Sequence, residues 1–302
     1  MLVIDEGGGL NGILTDTDIC RRVLALNLIP EEVPICNVVT RDIKYVSPND
    51  SAIDALLSMQ EGHFCHLPVV GNGNIAGVLN IGKCIYDVSK RLEHAMSSTD
   101  QLKASLEKSG KSSTLQHLLA PMLEKLSAPT LGSIVHNEMQ NGAIPAPRLP
   151  KSSLVSEVVK EMAMTKKAAL IVDDIDSSKL VGIFSPNELV LNVIAKGLKA
   201  SATYVEDVML NDPEIATPST SVLDGLQIMH DSRILNLPVL KDDSNELVGM
   251  VDVLDLSYGK SMQSMARIAN RCMSSGIRLC SSINHLCHRR QGIESALRCY
   301  RG

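Results

Sequence analysis

Aromatic side chains are scarce in this chain of 302 residues, which has no tryptophan, two phenylalanines and five tyrosines. Proteins that bind single-stranded nucleic acids stack bases on aromatic side chains, and this sequence provides few of them. The formal net charge is −5, and residues 1–260 carry 33 acidic against 22 basic side chains. Because nucleic-acid binding requires a basic surface that displaces counterions, this composition argues against a nucleic-acid partner.

Long apolar runs are also missing, since no stretch approaches the ~20 residues that a membrane-spanning helix needs. Met1–Asp5 shows neither the basic region nor the small-residue cleavage site of a secretory signal. The eight cysteines show no spacing typical of a disulfide framework. These absences predict no membrane span, reduced thiols and a cytoplasmic protein, with the nucleus as the other compartment open to it.

The C-terminal segment 263–302 differs from the rest of the chain. Residues 261–302 contain seven arginines and one acid, and four of the eight cysteines lie in the last 31 residues. No sustained apolar period runs through it, so we predict a disordered basic tail rich in Cys and Arg. His285 and His288 lie near cysteines, but the close cysteine pairs that fix a tetrahedral zinc site are missing. No metal site is predicted.

What the sequence does contain is a repeat with an offset of 170 residues. The best-matched segments are Gly12–Thr15 with Gly182–Ser185, Asn37–Val39 with Asp207–Met209, and Leu67–Val70 with Leu237–Leu240. The offset becomes 172 where Gly77 meets Gly249. A shorter period lies inside each half, because Met59, Met162 and Met229 each stand eight residues before a short apolar run typical of a strand. The pattern predicts four copies of one unit in two pairs.

The clearest copy, residues 207–260, predicts the order strand, helix, strand, strand, helix. The predicted elements are a strand at Ile215–Thr217, a helix opened by Ser221 with Asp224, a hairpin of Leu237–Leu240 with Leu247–Val251, and a helix beginning near Asp255. A three-stranded sheet with helices on one face cannot cover itself. Each unit therefore needs a partner unit, which explains why the copies come in pairs.

The most specific part of the unit is a motif in which Thr or Ser stands three residues after a Gly, and Asp stands three residues after the Thr or Ser. Gly12, Thr15 and Asp18 show this spacing. A Leu-Pro-Val strand precedes this motif in the second and fourth copies. The unit resembles the CBS module, and a pair resembles the Bateman module. The arrangement is similar to the CBS-CBS-PB1 proteins, in which a polar helical linker separates two CBS pairs. We see no PB1 domain after residue 262, so the partner binding of that domain is not transferred.

The resemblance implies a mixed α/β (α+β) fold of four β-α-β-β-α units. The expected domains are a first CBS pair at 1–95 with its second unit at about 36–95, a polar helical linker at 96–127, a second pair at 128–262 with units at about 128–200 and 203–262, and the tail at 263–302. The first unit is expected to be truncated at its N-terminus, because the equivalent of residues 130–169 would precede Met1.

The resemblance also implies a ligand and a role. In proteins of this kind, adenine nucleotides such as AMP, ADP or ATP, or S-adenosylmethionine, bind in clefts between paired units. We therefore expect a non-catalytic, energy-sensing regulator that needs no cofactor and transmits ligand binding to an unknown protein partner. A homodimer through the CBS pairs is a further arrangement that the resemblance allows. The alternative is a scaffold or oligomerisation module whose ligand clefts are vestigial.

Candidate site residues follow from the same motif. A hydroxyl at the start of the last helix can help to hold a phosphate, and the acid three residues later can accept hydrogen bonds from ribose hydroxyls. The candidate pairs are Thr15 with Asp18, Ser185 with Glu188, and Asp252 with Asp255. The second unit has Asn80 and Lys83 instead, and a lysine cannot accept a hydrogen bond, so this site is predicted to be empty or altered.

Two of these residues have a second interpretation. Asp18 is also what a plain helix cap requires. Asp252 replaces the hydroxyl and would repel a phosphate unless a cation lies between them, or it marks a preference for a nucleoside-like ligand.

Basic residues near the expected cleft mouths complete the candidates. Arg233 stands four residues before Leu237, and its forked guanidinium suits phosphate recognition, although an exposed surface arginine is the plainer interpretation. Lys166 and Lys167 occupy the matching region of the third unit. His63 lies in the same region of the second unit, as does His66, and there packed or solvated histidines are the plainer interpretation.

Overall fold

The computed structural model describes residues 1–5, 8–50, 52–86, 129–140, 142–244 and 246–258. The predicted linker at 96–127 and the predicted tail at 263–302 lie outside these residues. Within the described ranges, no helix is both long and apolar enough to cross a membrane.

The first half of the chain forms two small antiparallel hairpins with short helices. Its elements are β1 (Leu2–Ile4), β2 (Leu10–Ile13), α1 (Asp16–Arg22), α2 (Ile35–Val38), α3 (Ala52–Gly62), β3 (His66–Gly71), β4 (Asn74–Asn80) and α4 (residues 81–86). Strand β1 pairs with β2, and β3 pairs with β4.

The second half repeats this pattern with one larger sheet. Its elements are α5 (Leu131–Gln140), β5 (Arg148–Pro150), α6 (Val155–Thr165), β6 (Ala169–Val172), β7 (Leu180–Phe184), α7 (Pro186–Glu188), β8 (Leu210–Asn211), α8 (Val222–Asp231), β9 (Asn236–Leu240), β10 (Leu247–Asp252) and α9 (Val253–Tyr258). Strands β5 to β8 form a four-stranded sheet in sequence order, and β9 pairs with β10. A π-helical turn continues α7.

The offset of 170 residues reappears in the backbone pairing. Ile13 bridges to Thr40, and Ile183 pairs with Leu210. Val46 likewise bridges in parallel to Val69, as Ala216 does to Val239. The predicted mixed α/β fold of repeated units in two pairs is thereby confirmed. The strand predicted at Ile215–Thr217 is reduced to the single bridge of Ala216, because the chain turns at Pro218, which has no N–H to continue the ladder.

In the first and third units, the glycine of the repeated motif stands where two chain segments cross. A Cβ atom on Gly182 would lie 2.7 Å from the carbonyl oxygen of Leu210 and equally close to the sulfur of Met209. Gly12 faces Val39 in the same way. At these two positions no larger residue fits without moving the crossing segment.

The two pairs are joined by shared hydrophobic cores. One core combines the second unit with the fourth, and its buried members include Leu56, Met59, Ile81, Leu226, Met229 and Leu256. Another places Cys20 and Leu24 of the first unit among buried residues of α6 and the third unit. Within the second pair, the sheets of the third and fourth units meet through residues such as Leu170 and Met250. Each unit of the first pair therefore packs on a unit of the second.

Helix α5 lies at the N-terminal end of the third unit but packs on the fourth. The N–H of Leu131 donates to the carbonyl of Thr220 at 2.9 Å, and the Leu131 side chain lies over Gly225. Val135 lies over Gly249 of β10. The helix thus closes one side of the boundary between the third and fourth units.

Candidate functional site

Thr15 and Asp18 form a reciprocal cap at the start of α1. The Thr15 hydroxyl donates to Oδ2 of Asp18 at 2.7 Å, the Thr15 N–H donates to the same oxygen at 2.9 Å, and the Asp18 N–H donates back to Oγ1 of Thr15 at 3.2 Å. The other carboxylate oxygen accepts from the Thr40 hydroxyl at 3.1 Å and lies 3.7 Å from the Arg22 guanidinium. Both oxygens of Asp18 thus have partners inside the first pair, and the contacts with Thr15 are those of a helix cap.

The third unit repeats this arrangement with a longer acid. The Ser185 hydroxyl donates to Oε2 of Glu188 at 2.5 Å, and the Ser185 N–H donates to the same oxygen at 3.0 Å. The N–H of Asn187 donates to Oγ of Ser185 at 3.2 Å. Because Pro186 has no N–H, it fits the first helical position, where no intrahelical partner is needed.

The fourth unit uses two carboxylates in place of hydroxyl and acid. The N–H of Asp252 donates to Oδ2 of Asp255 at 2.9 Å, and the N–H of Asp255 donates to Oδ1 of Asp252 at 2.7 Å. Nζ of Lys167, from the third unit, lies 3.5 Å from Oδ2 of Asp255. The side chains of Lys167 and Asp255 are only 13% and 12% exposed. An ion pair that is largely removed from water thus joins the two units of the second pair.

Asp252 has a perturbed acidity. Burial first and the charge of Asp255 next raise the pKa of its carboxyl to about 6, against the lowering effects of the Asp255 N–H and of Lys167. The charge of Asp252 also acts on Cys65 of the second unit. Burial is the main cause that raises the pKa of the Cys65 thiol to about 12, and the charge of Asp252 is the next. The start of α9 therefore lies close to the second unit as well as the third.

The second unit differs from the other three. Asn80 Oδ1 accepts from the N–H of Lys83 at 3.3 Å, and the Asn80 amide lies 3.4 Å from Nε2 of His66. Burial lowers the pKa of His66. The motif of this unit supplies no carboxylate, so ribose recognition through it remains predicted to be lost.

Three of the basic candidates share a backbone conformation that the sequence did not predict. His63, Lys166 and Arg233 have positive φ angles of 52°, 61° and 56°, and each is exposed. Each stands at the end of a helix, four residues after the methionine that recurs in every one of these units (Met59, Met162 and Met229). A left-handed residue that is not glycine is unfavourable by about 1–2 kcal/mol. The repeat places a basic residue at this position in three units although glycine would fit better.

An apolar pocket lies between the third and fourth units, where sequence reasoning named no residue. Its lining comes from α5, from the segment that precedes β5, from β6 and from β10. The lining residues include Val135, Pro145, Ala146, Leu170, Gly249 and Met250. Arg148 lies at its wall and donates to the carbonyls of Leu247 and Val248 at 3.2 and 3.0 Å. Small and apolar residues carry no charge pattern, so only the packing of the two units identifies this pocket.

The pocket and the carboxylates lie along the same strand. Gly249 lines the pocket and Asp252 ends β10 three residues later, which corresponds to about 10 Å at ~3.3 Å per strand residue. On the other wall, Leu170 lines the pocket and Lys167 precedes it by the same number of residues. The two acids and the ammonium group therefore lie beyond the pocket lining, at the same end of the boundary between the two units.

A second cleft lies in the first pair, at a different position of the repeat. It is lined by Leu10, Arg41, Ile43, Tyr45 and Val70, and the Tyr45 side chain is 62% exposed. Across the described parts of the chain, no three His, Cys, Asp or Glu residues come together as metal ligands. The histidines and cysteines of the tail lie outside those parts.

Comparisons with known proteins agree with the motif. The family model of the CBS domain matches residues 35–89 and 205–258. The CBS domain-containing protein CBSCBSPB1 of Arabidopsis thaliana is 32% identical over 263 residues, covering 85% of this chain and 47% of that protein. CBSCBSPB3 of the same plant is 33% identical over 262 residues, covering 85% and 46%. The chain thus spans about half the length of these relatives.

A solved structure supports the fold. A Methanocaldococcus jannaschii protein described as a proposed archaeal homologue of g-AMPK superposes with a TM-score of 0.56, covering 85% of this chain and 86% of that one. Its sequence identity is 12%, so this similarity concerns the fold alone. The matches to the CBS family model and the plant relatives, which confirm the predicted similarity to CBS-CBS-PB1 proteins, show that the chain belongs to the family of CBS-domain proteins.

Proposed function

We propose that this protein is a non-catalytic regulatory module that binds adenine nucleotides in clefts between paired CBS units, with the cleft of the second pair as its main site. The observation that carries the proposal is the apolar pocket between β6 and β10, together with the Lys167–Asp255 ion pair that joins the same two units. Ligand sites are typically concave and apolar with a few convergent polar groups. The described cleft has this composition.

The two ends of the cleft suit the two ends of a nucleoside. The pocket surface formed by Pro145, Leu170 and Met250 can hold a planar base by apolar contact. Asp255 carries an acceptor that ribose hydroxyls can use, because an ionised carboxylate accepts several hydrogen bonds. In this proposal Arg233, exposed at the end of α8, supplies forked donors to any phosphate that extends outward.

The Lys167–Asp255 ion pair suggests how binding is transmitted. A ribose that uses Asp255 competes with Lys167, which comes from the neighbouring unit. Because the third and fourth units also share cores with the first pair, a shift between them changes the contact between the pairs. A ligand can shift such an equilibrium only by its differential affinity for the two arrangements. This proposal requires a responding partner protein that contacts both pairs.

The scaffold alternative is supported by one observation. The carboxylates of Asp18 and Glu188 already accept hydrogen bonds from their own helix caps, which is sufficient reason for their presence. If no cleft binds a ligand, the shared cores make the chain a rigid four-unit platform. In that case a homodimer through the remaining CBS surfaces becomes the proposed assembly.

Calorimetric titration of the full chain with AMP, ADP, ATP and S-adenosylmethionine tests the proposal. We expect saturable binding of at least one ligand, and weakening by Asp255→Ala of roughly 1.5–3 kcal/mol, the size of a hydrogen bond to a charged group. Lys83→Ala is the matched control, because it changes a charged residue at the equivalent position of the second unit, whose cleft lacks the acid. No heat and no thermal stabilisation at millimolar ligand would favour the scaffold, and equal effects of both variants would place the site elsewhere.

A further inference from the structure

The four units place different groups at the first position of the repeated cap. Thr15 and Ser185 carry hydroxyls, Asn80 carries an amide, and Asp252 carries a carboxylate. A hydroxyl or an amide can donate a hydrogen bond to a phosphate oxygen, whereas an ionised carboxylate can only accept. The fourth unit is thus the only one whose motif presents an acceptor-only, negatively charged group at this position.

The surroundings of Asp252 leave its negative charge only partly balanced. Asp255 faces it across the reciprocal cap, with a donor–acceptor distance of 2.7 Å from the Asp255 N–H to Oδ1 of Asp252. Lys167 is the cation at this site, and its ammonium lies 3.5 Å from Asp255. Among the described groups that these contacts bring together, two carboxylates and one ammonium group carry an excess of one negative charge. The raised pKa of Asp252 agrees with this excess, because burial and Asp255 are its main causes.

A phosphate group brought to this end of the cleft would add a third anion next to a lysine that already has a carboxylate partner. An uncharged 5′-hydroxyl or a cationic 5′-sulfonium group adds no negative charge. A sulfonium would restore electroneutrality, since it contributes the one positive charge that the cluster lacks. The charge balance therefore separates nucleoside-type ligands from nucleotides.

We propose that Asp252 is a specificity-determining residue, which makes the cleft of the fourth unit select adenine nucleosides with an uncharged or cationic 5′ group over adenosine 5′-phosphates. The inference rests on the proposed function, since it names the ligand class of the same cleft. The third unit carries Ser185 in place of Asp252 and Glu188 in place of Asp255. Its motif lacks the second carboxylate and so lacks this bias.

The repeat supplies a reciprocal test. Asp252→Ser gives the fourth unit the cap residue of the third, and Ser185→Asp makes the opposite exchange. Both residue types are good helix caps, so the fold should tolerate either change. Competition titrations of the full chain with adenosine, S-adenosylmethionine, AMP and ATP give an AMP-to-adenosine affinity ratio for each variant. We expect Asp252→Ser to raise this ratio by about tenfold, a free-energy change of about 1.4 kcal/mol.

The controls separate charge from shape and from loss of function. Asp252→Asn keeps the side-chain volume, removes the charge and should raise the same ratio. Ser185→Asp should leave the ratio of the fourth cleft unchanged and lower any AMP binding that involves the third unit. An unchanged ratio in both Asp252 variants, with binding intact, overturns the inference while the proposed function stands. Absence of binding by every ligand to wild type and variants overturns the proposed function, and the inference with it.

Discussion

The rings of Tyr86 and His230 stack with centroids 3.4 Å apart and planes inclined by 5°. Tyr86 lies in α4 of the second unit and His230 near the end of α8 in the fourth, so this contact joins the two CBS pairs. It lies beside the hydrophobic core that the same two units share. The pairs are therefore connected by a specific polar-aromatic contact as well as by apolar packing.

Removing this stack should weaken the contact between the pairs. Aromatic pairs contribute about 0.5–1.5 kcal/mol beyond the area they bury, so Tyr86→Leu and His230→Leu should show a coupling free energy of that size in a double-mutant cycle. Chemical denaturation of the full chain measures it. His136→Leu, an exposed histidine on α5, is the matched control for the substitution itself. Strict additivity of Tyr86→Leu and His230→Leu would show that the stack adds nothing to stability.

The motif glycine of the third unit, Gly182, can be tested against that of the second unit, Gly77, which has space around it. Gly182→Ala should destabilise the protein by about 1–3 kcal/mol, because the new methyl group would collide with the Leu210 carbonyl. Gly77→Ala should be neutral or slightly stabilising, since nothing lies within 4 Å of its Cβ position and glycine is unfavourable within a strand. Thermal unfolding of both variants gives the comparison. Equal melting temperatures would mean that the strand at Leu210 moves aside.

Sequence reasoning found the strands and motif residues because each unit repeats its local pattern. The periodic apolar residues, the Leu-Pro-Val strands and the cap residues are local signals, and the offset of 170 aligned them. The packing of Cys20 among residues of α6 was not predictable in this way, because it depends on two segments far apart in the chain. The same holds for Lys167 and Asp255. Both were named as candidates, but their ion pair arises only when the third and fourth units pack together.

Arg233 should show opposite effects on stability and on ligand binding. Its φ angle of 56° is in the left-handed region, so Arg233→Gly should stabilise the protein by about 1 kcal/mol. Arg233→Ala keeps the unfavourable backbone conformation and serves as the control. Both variants should weaken binding of phosphate-bearing ligands equally, because both remove the guanidinium. A variant pair that differs in ligand affinity but not in melting temperature would contradict this assignment.

The acidity of Asp252 predicts a particular pH dependence of stability. Its pKa is about 6 in the folded protein against an ordinary value of 3.8, so between about pH 4 and pH 6 the folded state holds a proton that the unfolded state has released. The protonated carboxyl therefore stabilises the fold at low pH, and this contribution is lost as pH rises through 6. With about 1.4 kcal/mol for each pKa unit, the full difference is at most about 3 kcal/mol.

Asp252→Asn isolates this contribution, because the amide does not titrate and still caps α9. The free energy of unfolding of the variant minus that of wild type, measured with urea from pH 4 to pH 7, should grow as pH rises and level off above pH 6. Asp255 and Lys167, which face the carboxyl, remain in both proteins, and the Cys65 thiol stays neutral throughout, since its pKa is about 12. Carboxylates distant from Asp252 titrate alike in both proteins and cancel in the difference. A difference that stays constant with pH would show that Asp252 is ionised in the folded protein as readily as in water.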